Sequence, residues 1–456
     1  MYLEQLSEIT THKAVSMLDR IFKRSKKAEP DITSPGILFG RYSDNNKPIQ
    51  KVEKWNEADA LFKAKKYNES IEVFFDYLRD DELENLTHET NSKGGVFYFF
   101  QGSKIVKGFY NEEKFEAEVL LAMMPQPNVP VMRRLLEMNF NLYYSRYAIN
   151  ESRLCMLFDS DIETANPSKL YYGLKELATK ADKQDDLLVQ DFTSLLVSGT
   201  DHVEEIPEEE KEVKYKYFQK WIKEALDLIE SIDVDKFSGG IAYMLLALAY
   251  RIDYLIVPQG KLLREIEKVV EIYFRKDDRQ VTEKNQEMID GFMKLFAKSK
   301  EDFFPYMFRS LYTFSIVNPQ NHKTIADAIY NANQNIAWYK ENKQYKIAAL
   351  ISEYGISYCQ YSYSLPRPIT ELYLLFMMVN YPDFFTELGY TREFYSLERK
   401  EFNQSAIIEK IKSIENIWKE KYPNMNVKTD KLKFDDIVSF NQSFTTEIEY
   451  LNLEVK

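Results

Sequence analysis

Residues 96–103 read VFYFFQGS, a run of five large apolar side chains followed by a turn. Successive side chains of a β-strand point to opposite faces, so Val96, Tyr98 and Phe100 face one way and the two remaining phenylalanines the other. Leaving either face in water would cost about 1.5–3 kcal/mol for each large apolar side chain. A long, exposed edge strand of this kind would also aggregate. The run therefore predicts a central strand that is covered on both faces.

The sequence around this run predicts an antiparallel sheet with helices. Two further strands, 104–111 and 114–124, follow after short turns, and the second alternates apolar residues with two glutamates before it turns fully apolar. Such alternation is typical of a half-buried antiparallel sheet. A helix is predicted at 130–141, a second hairpin at 142–160, and a long helix at 167–196.

The order of these elements resembles a known fold. The stretches QGSKIVKGFYNEEKFEAEVLLA, VMRRLLEMNFNLYYSRYAI and LYYGLKELATKADKQDDLL resemble the type III secretion chaperone-like fold, which secretion chaperones share with YbjN-like proteins. Before them, residues 53–80 resemble a single tetratricopeptide repeat, with Ser70 and Tyr77 where that family prefers small alanines. A lone helical hairpin of this kind needs other elements to cover it.

The resemblance carries expectations about partners. In the secretion chaperone-like family the helices pack on one face of the sheet, and many members pair through the sheet region or hold extended segments of client proteins. The resemblance therefore implies a protein or peptide client, and a homodimer is left open. It transfers no individual client-binding residue, because the family binds through apolar patches.

The rest of the chain is predicted to be helical, which makes the fold class α+β with a large all-α, α-solenoid-like domain. The expected domains are 1–85 (an N-terminal helix over 3–22, a loop and the hairpin), 86–200 (the sheet domain) and 201–456 (the helical domain). The last twelve residues, 445–456, are interpreted as a strand or a frayed end. The predicted helices of the last domain span 214–232, 236–256, 259–275, 281–299, 302–317, 321–341, 343–363, 367–380 and 402–421.

Composition excludes several classes of function. The formal charge is −12, with no face rich enough in Lys and Arg to follow a phosphate backbone, so nucleic acid is not an expected partner. The two cysteines, Cys155 and Cys359, lie far apart in apolar runs and indicate a reducing compartment. The longest apolar runs, such as 241–250, are too short to cross a bilayer. We therefore expect a cytoplasmic protein without a membrane segment.

The sequence contains no catalytic or metal-binding motif that we recognise. Its four histidines are scattered singly, so no metal site is predicted. The glycines of GGVFYFFQGSK flank aromatic residues and do not open a phosphate-binding helix, so no nucleotide or other cofactor is predicted. We expect a non-catalytic, chaperone- or adaptor-like protein that binds a polypeptide through an apolar groove between sheet and helices.

The expected contact residues for such a partner are Phe97, Tyr98, Phe99, Tyr144 and Arg146. A different interpretation is that the helices of the same chain seal the sheet internally. A further hypothesis is that the protein is a purely structural subunit. Tyrosines in the helical part, such as Tyr354, Tyr358, Tyr361 and Tyr363, fit either core packing or a binding groove.

An enzyme with its site near the polar loop 39–47 is the alternative function. Arg41, Tyr42 and Asp44 of this loop are its candidate residues, because a loop can bring such polar side chains together around a ligand. A deep cleft where Arg41, Asp44 and other carboxylates converge would favour the enzyme. A shallow aromatic groove would favour the binding protein.

Overall fold

The computed structural model describes residues 35–44, 47–81, 83–91, 93–197 and 203–455. These residues form two compact units. The first contains Lys47–Glu204 and Arg309–Phe314, and the second contains segment 35–44, Glu205–Phe308 and Ser315–Lys456. The sequence places a domain boundary at residue 85, whereas the structure keeps the helical hairpin and the sheet in one unit. The helix predicted over 3–22 lies outside the described residues.

An antiparallel sheet is the framework of the first unit, so the α+β prediction is confirmed. Its main strands run in the order β1-β2-β3-β4-β6-β5, and a short β7 (Leu196–Val197) pairs with β4. The VFYFF run lies in β2, between β1 and β3, as predicted for a central strand. The six main strands are β1 (Leu86–Asn91), β2 (Gly94–Gln101), β3 (Lys104–Asn111), β4 (Lys114–Met123), β5 (Arg146–Asn150) and β6 (Arg153–Asp161).

Two strand predictions need correction. The sequence missed β1, because LTHETN is mostly polar and half of this edge strand is exposed, so no apolar alternation marks it. The strand predicted from residue 142 begins only at Arg146. The residues just before it turn their backbone N–H groups toward a side chain of the neighbouring helix and so cannot join the sheet.

The described residues of the first unit form four helices: α1 (Ile49–Lys63), α2 (Tyr67–Leu78), α3 (Val129–Asn139) and α4 (Pro167–Asp191). The first two form the hairpin predicted from 53–80. Ser70 is buried where they meet, and its hydroxyl donates a hydrogen bond to the carbonyl of Ala58 at 2.7 Å. Asn128 and Asn166 cap the starts of α3 and α4 by accepting a backbone N–H three residues on. Helix α4 ends at Asp191, not at the predicted residue 196.

The two faces of β2 have different environments. Phe97 lies 4.6 Å, between ring centroids, from Phe75 of α2, and 5.2 Å from Phe115 of β4, so this face packs into the helix-covered core. On the opposite face, Phe100 is buried but Val96 and Tyr98 are only half-buried. The expectation of cover on both faces is therefore met fully on the first face and partly on the second.

The second unit consists mainly of helices. A π-helical turn (Ile252–Ile256) directly follows α6, and β10 (Tyr395–Ser396) pairs with β11 (Glu401–Phe402). The remaining short strands are β8 (Glu204–Glu205) and β9 (Phe308–Arg309). The helices are α5 (Glu208–Glu230), α6 (Ser238–Arg251), α7 (Gly260–Phe274), α8 (Val281–Phe296), α9 (Lys300–Phe303), α10 (His322–Asn333), α11 (Ile336–Glu341), α12 (Tyr345–Ser362), α13 (Arg367–Asn380), α14 (Pro382–Glu387), α15 (Gln404–Trp418) and α16 (Ile437–Glu449).

The helix predicted over 302–317 is wrong. Helix α9 ends at Phe303, Pro305 lies in a short turn after it, and the chain then becomes extended. This segment bonds to the sheet instead of to itself: Gly102 donates its N–H to the carbonyl of Leu311 at 2.9 Å, and the Thr313 side-chain hydroxyl donates to the carbonyl of Phe100 at 2.8 Å. The apolar spacing that predicted a helix here therefore belongs to an extended segment, which hydrogen bonds hold against the sheet.

Smaller helix predictions also change. The helix predicted over 321–341 divides into α10 and α11, with a break at 334–335. The tail predicted as a strand or a frayed end begins within α16, which continues to Glu449. The carboxylate of Asp436 caps α16 by accepting the N–H of Ser439 at 2.9 Å. The sequence analysis did not predict α16. Asp436, an N-cap residue, is the helix start signal in the sequence.

Among the described residues, one helical stretch is long and apolar enough, by length and composition alone, to cross a membrane. It spans Ser238–Ile256, and 89% of its most apolar window is buried inside the protein. This is the packing expected of the core helix predicted from 241–250. Its two charged residues, Arg251 and Asp253, are buried with it.

Candidate functional site

The predicted contact residues on β2 do not form an accessible surface. Phe97 and Phe99 are buried in the core of the first unit, so the prediction that a partner contacts them is wrong. Both side chains point toward the helices. Their partners in the register with β3 are Gly108 and Val106, which share that face of the sheet. Tyr98 lies on the opposite face, half-buried, with its ring 5.9 Å from that of Phe100.

Tyr144 and Arg146 lie at the surface, at the start of β5. Arg146 forms an ion pair with Asp159 of β6, and both side chains are about half exposed. The Tyr144 ring contacts the edge of Phe158 at 6.5 Å between centroids, while much of the side chain remains in solvent. The structure thus separates these two predicted residues from the buried pair on β2.

Tyr144 belongs to a larger exposed group, which we call the aromatic corner: Leu136, Phe140, Tyr143 and Tyr144. Phe140 is 93% exposed and Tyr143 is 91% exposed. Leu136 and Phe140 are four residues apart on and just after α3, so they share one side of that helix, opposite the buried Val131 and Leu135. Single exposed apolar residues are ordinary, but four large ones within nine residues of the chain make this stretch a candidate interaction surface.

Glu176 of α4 fixes the backbone beneath the aromatic corner. Its carboxylate accepts hydrogen bonds from the backbone N–H groups of Tyr143, Tyr144 and Ser145 and from the Ser145 hydroxyl, each at 2.8 Å. Burial alone would raise the pKa of Glu176, but these four hydrogen bonds outweigh it and leave the pKa below its ordinary value. The ionised carboxylate therefore holds the loop in one conformation.

The neighbouring edge strand β5 is protected from pairing with another strand. The N–H of Tyr147 donates to the side-chain oxygen of Asn139 at 2.7 Å, and the Asn139 amide faces the Tyr147 carbonyl at 3.5 Å. Two residues earlier, the N–H of Ser145 is taken by Glu176. These outward-facing peptide groups already have partners, so a visiting strand gains little by adding here.

The polar loop of the alternative hypothesis is anchored in the second unit. Arg41 bonds Asp253 through Nε at 3.0 Å and Nη2 at 2.8 Å, reaches Glu267 at 3.2 Å, and stacks 4.3 Å from the ring centre of Tyr361. Burial disfavours the charge on Arg41, but Asp253, Tyr361 and Glu267 outweigh it and raise the pKa of the guanidinium.

The three loop residues have different environments in the described part of the chain. Arg41 is paired with its own carboxylates, Tyr42 is half-buried, and Asp44 is buried. Burial raises the pKa of Asp253, while its bonds with Arg41 oppose that shift. The arrangement is that of an anchor for an extended segment.

The helical tyrosines named above lie close to this anchor. Tyr361 lies 4.7 Å from Tyr250, and Tyr354 and Tyr358 follow along α12 at 6.3 Å each from Tyr250. The rings pack against one another, and the hydroxyl of the buried Tyr250 has no hydrogen-bond partner among the described residues. The cluster is core packing for most of its length, and at Tyr361 it becomes part of the Arg41 site.

The described part of the chain offers no grouped metal ligands, since no three His, Cys, Asp or Glu side chains converge there. Both cysteines are buried, and burial raises the pKa of each thiol to about 12. Neither thiol is therefore ionised at neutral pH, which agrees with the interpretation of both as apolar core residues.

Several important residues were missed at the level of sequence. Phe140 and Tyr143 do not belong to the apolar stripe of α3. A large aromatic residue outside such a stripe was the sequence signal that they could be exposed. Asp253 was not predicted as a site residue, although a charge directly after a long apolar run needs a partner if it is buried. Glu176 gave no signal, because its partners are backbone groups.

Comparison with known proteins adds no assignment. No family model matches this chain, and no curated protein matches it.

Proposed function

We propose that this protein is a non-catalytic, cytoplasmic, adaptor- or chaperone-like module that binds another polypeptide through the aromatic corner. The observation that carries the proposal is the exposure of Phe140 and Tyr143 on a loop whose backbone is fixed by Glu176. Transfer of a large aromatic side chain from water into an interface contributes about 1.5–3 kcal/mol. A small group of such side chains can supply most of the energy of an interface.

Rigidity is the second support. A loop that is already ordered loses little conformational entropy on binding, so more of the contact energy is available as affinity. Glu176 supplies this order with three backbone hydrogen bonds and one from a hydroxyl. Since the Tyr147 peptide of β5 already has partners on its outward side, the proposed partner is bound here by side chains and not by strand addition.

Charge favours a particular partner. Between residues 129 and 140, the stretch with Leu136 and Phe140 carries two arginines and one glutamate, in a chain whose formal charge is −12. Arg133 and Arg134 are both exposed, and Arg134 also lies 3.8 Å from the carboxylate of Glu137. Potentials of opposite sign steer association and disfavour wrong partners. The proposed partner is therefore a segment with apolar anchors and acidic neighbours. The secretion chaperone-like resemblance also supports a polypeptide partner that is bound through apolar contacts.

The alternative of an enzyme at the 39–47 loop is not carried forward, because Arg41 is engaged by Asp253 and Glu267 and no observation supplies it with a substrate. A homodimer through the aromatic corner is a distinct outcome that light scattering detects. It would replace the acidic partner by a second copy.

Selection from a displayed library of random peptides tests the proposal. Selection on the wild type, followed by depletion on the double variant Phe140→Ser/Tyr143→Ser, should leave peptides that combine aromatic or aliphatic residues with Asp or Glu. Tyr450→Ser is the matched control, because Tyr450 is 69% exposed but belongs to the other unit. Depletion on this control should remove the selected peptides, because its aromatic corner is intact. If the double variant removes them equally well, the aromatic corner is rejected as the site.

A further inference from the structure

The second unit holds an extended segment of the chain in a groove with separate places for three consecutive residues. This resident segment, residues 37–43, has no helix or strand of its own. The ring of Phe39 lies among four aromatic rings, at 5.4 Å from Phe385 and at 6.2–6.3 Å from the others. The other three rings are those of Tyr254, Phe384 and Tyr390.

Gly40 is required next to this aromatic site. Its N–H donates to the carbonyl of Tyr254 at 2.8 Å, and its φ is +73°, a conformation that L side chains rarely adopt. A Cβ atom at this position would meet the ring of Tyr254 at 2.6 Å. The groove therefore accepts glycine after the aromatic residue and rejects larger residues.

Arg41 occupies the third place. Its side chain is 13% exposed and that of Asp253 is 6% exposed, so the pair is largely removed from water. Two nitrogens of the guanidinium contact Asp253, one of them also contacts Glu267, and the plane stacks on Tyr361. Lysine has no planar fork and would not reproduce these contacts. Farther along, the Ser43 and Ser364 hydroxyls lie 2.6 Å apart.

We propose that this groove is a recognition site for an extended segment of another protein in which an aromatic residue is followed by glycine and arginine, and that residues 37–43 are its displaceable resident occupant. The contacting residues named above come from parts of the chain more than 200 positions away, as the separation of 212 between Arg41 and Asp253 illustrates. The site is thus built by the helical framework and is not part of the local structure of the segment.

This inference goes beyond the proposed function, because it concerns the second unit and a partner with a basic residue, not an acidic one. The tether keeps the resident segment at an effective concentration in the millimolar range. A free peptide therefore competes poorly with the intact segment and binds well only when the resident anchors are removed.

Fluorescence anisotropy with the labelled peptide PGILFGRYSD, residues 35–44, tests the site in the full-length protein. The variant Phe39→Ala/Arg41→Ala should bind the peptide about 100-fold more tightly than the wild type. The peptide should also raise the melting temperature of the variant toward the wild-type value. The same peptide with alanine in place of its arginine should fail in both measurements. Leu38→Ala, at a position that is 62% exposed in the same segment, is the matched control and should behave as the wild type.

Two results would overturn the proposal. One is a folded double variant that does not bind the peptide. The other is a wild type that forms dimers in light scattering by exchanging its resident segments, since the occupant would then be a second copy. Should the double variant fail to fold, hydrogen exchange on the wild type decides. The Gly40 amide should exchange well before the amides of α6 and α12, and exchange only on global unfolding would make the segment a permanent part of the core. A failure here leaves the aromatic corner untouched, because that site is tested with different variants and different peptides.

Discussion

The side-chain amide of Gln101 makes a pair of hydrogen bonds with the main chain of Phe314. Its Nε2 donates to the Phe314 carbonyl at 3.2 Å, and its Oε1 accepts the Phe314 N–H at 3.0 Å. Gln101 is fully buried, so these bonds satisfy an amide that would otherwise be stranded in the core. The sheet unit is therefore completed by residues that come more than 200 positions later in the chain.

Phe314→Ala tests this dependence. The ring is fully buried against Phe99 at 5.6 Å and Tyr171 at 5.4 Å, so truncation should lower the free energy of unfolding by about 3–5 kcal/mol. Urea denaturation followed by circular dichroism measures the change. Phe274→Ala is the control, since Phe274 is about half exposed, and should cost clearly less. Equal losses in the two variants would mean that the extended segment does not stabilise the sheet unit.

Adjacent residues of β2 should respond very differently to the same substitution. Phe97→Ser places a hydroxyl and a cavity in the core and should destabilise by at least about 3 kcal/mol. Tyr98→Ser acts on the half-buried face and should cost about 1 kcal/mol. Thermal unfolding of the two variants under one set of conditions makes the comparison. The reverse order would place the core on the other face of the sheet.

Glu176→Gln should change how stability depends on pH. The folded-state pKa of Glu176 is lowered, so its contribution is complete above the unfolded-state pKa of about 4.3 and is lost as pH falls through the lower folded-state pKa. The difference in unfolding free energy between wild type and variant should therefore be largest near neutral pH and shrink below about pH 4. A difference that stays constant from pH 3 to 7 would show that the carboxylate charge does not hold the loop.

Arg41→Ala should be costly, because it leaves the buried carboxylate of Asp253 without its partner. Removing one member of a buried ion pair typically costs about 3–5 kcal/mol. The double variant Arg41→Ala/Asp253→Ala should recover part of this loss, and a double-mutant cycle in urea measures how much. Arg399→Ala is the exposed control and should cost less than about 1 kcal/mol. An equally small effect at Arg41 would mean that the pair is not formed in solution.

The sequence predicts well those features that depend on local patterns. The central position of β2 follows from its five consecutive large side chains, and β4 alternates as expected. The helical hairpin ahead of the sheet is likewise visible in its apolar spacing. These signals come from residues close together in the chain, which is why reading the sequence alone finds them.

Features that depend on distant partners were not predicted. The stretch around Phe314 has helix-like apolar spacing, and its bonds to distant residues such as Gln101 and Gly102 hold it extended instead. Phe97 and Phe99 were expected at a binding surface, because the sequence does not say which face the helices cover. Asp253 and Arg41 are 212 positions apart in the chain, and the sequence near either residue does not indicate that the two form a pair.

The affinity of a selected peptide for wild type and for the Phe140→Ser/Tyr143→Ser variant tests the central claim most directly. The probe is the peptide most enriched in the library selection, and isothermal titration calorimetry measures its dissociation constant. We predict at least tenfold weaker binding to the variant, about 1.4 kcal/mol or more, with the Tyr450→Ser control unchanged. Equal affinity for wild type and the double variant, both folded, would contradict the claim that the aromatic corner recognises polypeptides.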